Sequence, residues 1–155
     1  MSDRWDRHFL ALALQHAQMS KDPSSKVGAV IVGPDREILS VGFNGFPRGV
    51  ADTPKRLNDR EEKYRLIVHA EANAMLAAAR VGIRLKGATL YTAPYLPCTR
   101  CAVEVIQAGI VEVVSPPLAT HPERWQADMA AARALFWEAG VKCREVSLDE
   151  ASVAP

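Results

Sequence analysis

Two cysteines three residues apart, Cys98 and Cys101, constrain this chain more than any other feature of its sequence. Cys98 directly follows Pro97, and the two cysteines open a stretch with helical spacing. On the first turn of a helix, side chains three residues apart lie on the same side, so both sulfurs can face one point. The N-terminus of a helix also favours the thiolate form that binds metals. The pair therefore predicts a metal centre or a redox-active dithiol at this turn.

A second motif, His69-Ala70-Glu71, opens an alanine-rich helix predicted over residues 68–81. The imidazole of His69 and the two cysteine sulfurs make three protein ligands of the kind that zinc prefers. Structural zinc sites have four protein ligands, whereas catalytic sites keep one position open for water. Three ligands therefore predict an open, catalytic zinc site, and Glu71 is the neighbouring carboxylate that would move protons.

Two other interpretations of the cysteines remain open at this stage. Cys98 and Cys101 could form a redox pair, in which case His69 and Glu71 would be coincidental. A closed structural site could take Cys143 or His121 as its fourth ligand. Cys143 lies in an apolar segment and is expected in the core. The odd number of cysteines, three, argues against a disulfide framework.

The pattern of apolar residues predicts the element order α-β-β-α-β-α-β-α-β. Helices are predicted over 5–19, 68–81, 101–108 and 123–139, and strands over 27–32, 38–43, 88–92, 111–115 and 141–146. A hairpin followed by three strand–helix alternations predicts a mixed five-stranded sheet with helices on both faces. The irregular segment 44–67 is longer than a passive connection usually is, and we interpret it as a functional loop with room for a short helix.

Length and composition place the chain in a broad class. Its 155 residues fit one domain, residues 1–155, with 149–155 as a frayed tail. Apolar residues make up 48% and charged residues 24%, and the net charge is +1. No apolar run approaches the roughly 20 residues of a membrane span, and the charged N-terminus lacks a signal-peptide core. We therefore expect a cytoplasmic protein that does not bind membranes.

The sequence also resembles a known family, the cytidine and deoxycytidylate deaminases, and most of all the deoxycytidylate (dCMP) deaminases. The resemblance covers roughly residues 4–145 and has four segments at its centre. These segments are residues 20–30 (SKDPSSKVGAV), 42–49 (GFNGFPRG), 69–74 (HAEANA) and 97–102 (PCTRCA). The last two segments hold the zinc motif of the whole superfamily. The first two point to the branch that acts on nucleotides.

The resemblance carries implications for fold and activity. It implies a three-layer α/β/α sandwich and the hydrolysis of an exocyclic amine to a carbonyl with release of ammonia. For dCMP the product would be dUMP. It also implies a homo-oligomer. Some dCMP deaminases carry a second zinc site built from cysteine and histidine, but no cysteine lies between Asn44 and His69 here, so we expect one zinc ion per chain.

Four residues are candidates for binding the substrate. Asn44 follows a predicted strand in a glycine-flanked loop, where its amide can hydrogen-bond a sugar hydroxyl or a base edge, and the family places an asparagine similarly. A 5′-phosphate needs cations or main-chain donors. Ser25 and Lys26, before the first strand, and Arg48, after Asn44, are the candidates for that role.

Other functions compete with dCMP deamination. The same zinc chemistry would serve a free nucleoside or base, such as cytidine or guanine, or an adenosine in tRNA. Recognition of tRNA would need a basic surface and aromatic stacking residues. A net charge of +1 and 6% aromatic residues do not supply these, so a nucleic-acid partner is not expected. A catalytically silent zinc-binding regulatory subunit is the alternative from another class, and Glu71 argues against it because a silent site needs no proton carrier.

Overall fold

The computed structural model describes residues 3–148, so the predicted tail over 149–155 lies outside the described residues. The helices are α1 (Asp3–Ala17), α2 (Pro54–Asn58), α3 (Arg60–Leu66), α4 (Ala70–Val81), α5 (Thr99–Gln107) and α6 (Glu123–Glu138). The strands are β1 (Gly28–Val32), β2 (Ile38–Phe43), β3 (Thr89–Ala93), β4 (Glu112–Ser115) and β5 (Lys142–Glu145). A short 3-10 turn, Leu118–Thr120, precedes α6. None of the helices in this part of the chain is long and apolar enough to cross a membrane.

The five strands form one mixed sheet in the order β2-β1-β3-β4-β5. Strand β1 pairs antiparallel with both β2 and β3, whereas β3–β4 and β4–β5 are parallel pairs. The predicted mixed five-stranded sheet and element order are thus confirmed. The segment 44–67 differs in detail, because it holds two short helices, α2 and α3, where we expected room for one. Thr53 and Asp59 cap these helices by accepting hydrogen bonds from backbone N–H groups of the first turn.

The sheet has helices on both faces, as predicted for an α/β/α sandwich. Alternating side chains of β1 point to opposite faces. On one face Val30 and Val32 pack against α1, and on the other Ala29 and Ile31 pack against the layer of α4, α5 and α6. The helices α4 and α5 each follow a connection that leads to the same edge of the sheet, which is where the functional side chains collect.

Two glycines let helices approach the sheet closely. A Cβ atom at Gly42 would lie 2.3 Å from the carbonyl oxygen of Ala70 and 2.5 Å from the nitrogen of Ala74. A Cβ atom at Gly28 would lie 1.8 Å from the carbonyl oxygen of Ala13. These distances exclude any side chain without backbone movement. Gly42 thereby sets the distance between β2 and the first turn of α4, the turn that follows His69.

Candidate active site

The two sequence motifs meet where the N-termini of α4 and α5 converge. His69 is the residue before α4 and Cys98 is the residue before α5, and both have extended backbone conformations. Neither side chain forms a capping hydrogen bond with its own helix. Both side chains are therefore directed away from the usual capping role. The positive ends of two helix dipoles also point to this place and favour thiolates there.

The geometry of the three predicted ligands fits a tetrahedral metal site. The Nδ1 atom of His69 lies 3.5 Å from the sulfur of Cys98 and 3.4 Å from that of Cys101. Ordinary Zn–N and Zn–S bonds at a tetrahedral angle would place nitrogen and sulfur about 3.5 Å apart. The three ligand atoms all lie within 4.8 Å of one another. The residues present thus fit zinc in both donor type and spacing.

Protonation at the site favours one thiolate before any metal binds. A hydrogen bond from the thiol of Cys101, together with one from His69, lowers the pKa of Cys98 to about 4. The reciprocal hydrogen bond to Cys98 and burial raise the pKa of Cys101. The hydrogen bond with the Cys98 sulfur raises the pKa of His69. A metal ion would displace the remaining protons, because zinc binds thiolates and neutral imidazole.

Glu71 lies on the first turn of α4 with only 4% of its surface exposed. Burial raises the pKa of its carboxyl group, although the nearby His69 acts in the opposite direction. Its side chain lines the same cavity as His69 and Cys98. The arrangement places a buried carboxyl group beside three side chains that could hold a metal, a combination suited to proton transfer to a bound substrate.

The alternative fourth ligands lie elsewhere. Among residues 3–148 the group that could hold a metal consists of His69, Cys98 and Cys101. The ring of His121 is buried and accepts a hydrogen bond from the backbone nitrogen of Leu96, and Cys143 packs against the core from β5. A closed site with a fourth protein ligand therefore finds no support in this geometry.

The metal group borders a cavity of about 180 Å³. Two of the predicted substrate-binding residues, Ser25 and Asn44, line it. The other predicted residues of the wall are Glu71, His69 and Cys98. Further lining residues include aromatic and charged side chains, namely Asp22, Lys63, Tyr64, Tyr95, Arg124, Trp125 and Asp128. The cavity thus combines polar groups, two cations and three aromatic rings around the candidate metal site.

Asn44 is buried and holds the loop before β1 in place. Its Nδ2 group donates to the carbonyl oxygen of Ser25 at 2.8 Å, and its Oδ1 accepts from the nitrogen of Val27 at 2.8 Å. The hydroxyl of Ser20 donates to the carbonyl oxygen of Asn44 at 2.7 Å. These bonds leave Asn44 one amide hydrogen and one lone pair of Oδ1 for a ligand. Asn44 therefore both positions the loop before β1 and presents its own side chain to the cavity.

The structure places the cations differently from the sequence prediction. Lys26 and Arg48 are exposed and are not among the residues that line the cavity, whereas Lys63 and Arg124 are. Lys63 is buried and pairs with Asp22 at 3.0 Å, so its charge is balanced. Arg124 stacks its guanidinium 4.5 Å from the ring centre of Trp125. In the part of the chain that the structure describes, no carboxylate pairs with it.

Sequence reasoning missed Arg124, Trp125 and Asp128, although one signal was available. The connection into α6 leaves a parallel strand, β4, next to the strand that leads to Cys98. Parallel neighbours end at the same edge of a sheet, where ligands bind in α/β folds. The first turns of α6 were therefore candidates for the site. Lys63 offered no such signal, because its position depends on how α3 folds back over the loop at Asp22.

Comparison with known proteins agrees with the fold and the site. The family profile described as the cytidine and deoxycytidylate deaminase zinc-binding region matches residues 3–116. A mouse deoxycytidylate deaminase is 40% identical over 146 residues, covering 91% of this chain and 79% of its own. An uncharacterised deaminase in the luxG 3′ region of Aliivibrio fischeri is 39% identical over 150 residues, covering 96% of this chain and 98% of its own.

A solved structure agrees with the fold alone. The dCMP deaminase from cyanophage S-TIM5, in complex with dCMP and dUMP, superimposes with a TM-score of 0.75 at 23% identity. The superposition covers 94% of this chain and 98% of the phage chain.

An α/β/α sandwich with a histidine and two cysteines gathered at paired helix N-termini, beside a buried glutamate, defines the class of zinc-binding deaminases. With the profile match and the relatives, the chain belongs to the cytidine and deoxycytidylate deaminase family, whose members are hydrolases of the carbon–nitrogen bond in cyclic amidines.

Proposed function

We propose that this enzyme hydrolyses dCMP to dUMP and ammonia, using one zinc ion held by His69, Cys98 and Cys101. The observation that carries the proposal is the cavity that joins this ligand group to Glu71 and to polar and aromatic side chains. Support for dCMP as the substrate comes from the mouse relative and from a human deoxycytidylate deaminase that is 38% identical over 161 residues.

Glu71 is the proton carrier in the proposed reaction. Bound zinc supplies a Lewis acid that makes a water molecule nucleophilic at neutral pH. Glu71 receives a proton from that water while the water oxygen bonds to C4 of the cytosine ring. Glu71 passes this proton to ring nitrogen N3. It then takes the second proton from the oxygen now bonded to C4 and delivers it to the exocyclic nitrogen. The C4–N bond breaks, the carbonyl forms, and the nitrogen leaves as ammonia.

The walls of the cavity suit a nucleotide. Asn44 retains an amide hydrogen for the sugar or the base, and the rings of Tyr95 and Trp125, 5.1 Å apart, form an apolar wall. A phosphate needs a cation whose charge is available. Arg124 meets this requirement best, since Lys63 is paired with Asp22. Ser25 also lines the cavity, whereas Lys26 beside it and Arg48 are candidates that would have to reach in from the surface.

The experiment that tests this proposal is an ammonia-release assay on a substrate panel. The panel contains dCMP, CMP, deoxycytidine, cytosine, guanine and adenosine, and zinc per chain is measured on the same sample. We expect kcat/KM to be highest for dCMP. Preference for deoxycytidine would remove the phosphate from the proposal, and preference for guanine or adenosine would replace its substrate class. Zinc binding without turnover of any compound would favour the silent regulatory subunit.

We also propose that the chain forms a homo-oligomer through a groove on the outer side of α4 and α5. The groove has a volume of about 760 Å³ and is lined by the apolar side chains of Met75, Leu76 and Ile83. Leu76 is 57% exposed and Ile83 is 37% exposed. Isolated surface side chains of this kind need no partner, but a contiguous apolar groove typically marks an interface.

The partner we propose for this groove is a second copy of the chain. Arg65, Arg100 and Glu104 also line it, so a two-fold pairing can set unlike charges opposite each other. His69 lines both the groove and the catalytic cavity, and it is exposed in the isolated chain. A partner in the groove would exclude water from this ligand. The candidate ligand His69 would then be shielded from solvent on its groove side in the oligomer but not in the monomer.

Light scattering coupled to gel filtration tests the oligomer. We expect a mass above that of one chain for the wild type and a shift to the monomer for Leu76→Glu. Val103→Glu, at a similarly exposed apolar residue of α5 outside the groove, is the control and should leave the mass unchanged. A monomeric wild type, or an unchanged mass for Leu76→Glu, would contradict the proposal.

A further inference from the structure

The start of α5 lacks a hydrogen-bond acceptor from its own N-terminal residue, Cys98. The residue before a helix normally accepts a hydrogen bond from a backbone N–H of the first turn. Cys98 occupies this position and makes no such bond, because its sulfur faces His69 and Cys101. The first N–H groups of α5 must therefore find acceptors elsewhere. A metal-binding helix start cannot cap itself with its own ligand.

Asp128, on the second turn of α6, supplies the missing acceptor. Its Oδ2 accepts a hydrogen bond from the backbone nitrogen of Thr99 at 3.0 Å. Its Oδ1 accepts one from the hydroxyl of Thr99 at 2.6 Å. The two bonds hold the residue next to Cys98 by both its main chain and its side chain. A carboxylate at this place also matches the positive end of the α5 dipole.

His121 holds the chain on the other side of Cys98. Its Nε2 accepts a hydrogen bond from the backbone nitrogen of Leu96 at 2.8 Å, and the residue is only 3% exposed. The hydroxyl of Thr120 already donates to the carbonyl oxygen of Pro117 and lies 3.4 Å from Nδ1 of His121. The hydroxyl oxygen of Thr120 can therefore accept a hydrogen bond from Nδ1–H of His121. With its proton on Nδ1, the ring has an unprotonated Nε2, as the hydrogen bond from Leu96 requires.

We infer that Asp128 and His121 are positioning residues for the metal site, which fix the chain on both sides of Cys98 so that its sulfur stands at ligand distance before zinc binds. Residues that orient metal ligands through hydrogen bonds typically alter metal affinity or activity 10–100-fold when they are replaced. The inference rests on the proposed zinc site. It adds that α6, which carries Arg124 and Trp125 into the substrate cavity, also sets the geometry of the metal-binding turn.

Zinc affinity, measured by competition with a chelator, tests this inference independently of catalysis. The variants are Asp128→Ala, which removes both acceptors, and Asp128→Asn, which keeps an acceptor for the nitrogen of Thr99. Glu138→Ala removes a carboxylate from the exposed end of the same helix and is the matched control. Cobalt(II) titration, followed by the thiolate–cobalt absorption bands, reports on ligand geometry in the same variants.

We expect Asp128→Ala to bind zinc 10–100-fold more weakly, with altered cobalt bands. Asp128→Asn should recover most of that loss, and Glu138→Ala should match the wild type. The inference is overturned if Asp128→Ala binds zinc as the wild type does, or if the Asn variant is as weak as the Ala variant. Asp128 is exposed, so its replacement should not prevent folding.

A second pair of variants repeats the test at the buried anchor. His121→Gln keeps an acceptor for Leu96 and should retain zinc affinity, whereas His121→Leu should lose it. Equal zinc affinities for the two variants would contradict a positioning role for His121. The wild type is measured first in every series. If it binds no zinc, the proposed function itself fails, and that outcome is distinct from a wild type that binds zinc together with unaffected variants.

Discussion

The two halves of the candidate active-site cavity are built in different ways. The metal half comes from two short motifs, each at the start of a helix, and its ligands are separated by no more than 32 residues of the chain. The substrate half is assembled from the loop at Asp22, Asn44, the helix α3 and the first turns of α6. The chemistry is thus encoded locally, whereas the fit to a substrate depends on tertiary packing.

This difference has a consequence for specificity. A local motif must be kept whole for zinc binding and proton transfer, and it carries no information about what lies opposite. Except at Asp128, which anchors Thr99 beside Cys98, the opposite wall can change residue by residue while the sheet and the metal turn stay the same. The metal motif therefore defines the reaction, whereas individual side chains of the opposite wall define the substrate.

Replacement of Glu71 should produce the largest effect and isolate the metal half. We expect Glu71→Gln to lower kcat about 10³-fold, because general acid–base groups contribute on that order, while zinc content stays the same. Steady-state kinetics and metal analysis on one preparation measure both. Glu61→Gln, at an exposed position of α3, is the control. A Glu71→Gln enzyme that keeps more than about a tenth of its activity would show that another group moves the protons.

Replacement of Lys63 should have the next largest effect and test how the substrate half is held together. Asp22 accepts hydrogen bonds from Ser24 and Ser25 as well as from Lys63, so this pair orders the loop. Lys63→Met leaves Asp22 buried without its counter-ion, and we expect a loss of about 3 kcal/mol in the free energy of unfolding. Denaturant unfolding at saturating zinc measures it.

The chain offers a matched control for this pair. The Nζ of Lys21 lies 2.9 Å from Oδ2 of Asp52. The side chains of this pair are 69% and 39% exposed, whereas those of Lys63 and Asp22 are 8% and 7% exposed. Lys21→Met should leave the unfolding midpoint unchanged, because exposed pairs contribute little. Equal effects at the two lysines would mean that burial does not distinguish them.

Much of the fold was predictable because its signals are local. Strand β2 was predicted with its observed bounds, and the glycines 82, 109 and 140 mark the ends of α4, α5 and α6, close to the predicted positions. The helix α5 begins at Thr99, two residues before the predicted start at residue 101. The prediction missed this start because no sequence pattern shows that Asp128 of α6 caps the helix. The cap depends on two segments that meet only in the folded chain.

The candidate site divides in the same way. The grouping of His69, Cys98 and Cys101 follows from residue type and spacing, and the structure brings the three together. The cations were harder to place, because Lys26 and Arg48 are close in sequence to pocket residues yet exposed in the structure. Lys63 and Arg124 reach the cavity from helices whose packing the sequence pattern did not specify.

Replacement of Arg124 should have a moderate effect confined to substrate binding. If Arg124 holds the phosphate, Arg124→Gln should raise the KM for dCMP about tenfold and leave the KM for deoxycytidine unchanged, since one charge-assisted hydrogen bond contributes roughly 1.5–3 kcal/mol. Lys26→Gln and Arg48→Gln are the competing variants. A larger change in the KM for dCMP in either of these would transfer the role to that residue, and equal changes for both substrates would exclude a phosphate contact.

A pH-dependent stability difference should be the smallest effect. Burial lowers the pKa of His121 in the folded protein from the ordinary value of 6.5. The unfolded chain therefore binds this proton at a higher pH than the folded chain does. The resulting stability is fully present above pH 6.5 and is lost as the pH falls through the folded value.

Thermal unfolding between pH 7.5 and pH 5 would measure this contribution. We expect the stability of His121→Gln to depend less steeply on pH than that of the wild type, by less than about 1 kcal/mol across the range. His8→Gln, on the exposed side of α1, is the control. A slope in His121→Gln as steep as that of the wild type would assign the acid sensitivity to other groups.

Reconstitution of the zinc-free enzyme tests the central claim most directly. The protein is stripped of metal, titrated with zinc, and assayed for dUMP formation from dCMP at each addition. We predict no turnover without zinc and a linear rise that reaches a plateau at one zinc per chain. Full activity in the metal-free protein, a plateau at two zinc ions per chain, or a zinc-loaded enzyme that forms no dUMP would contradict the account.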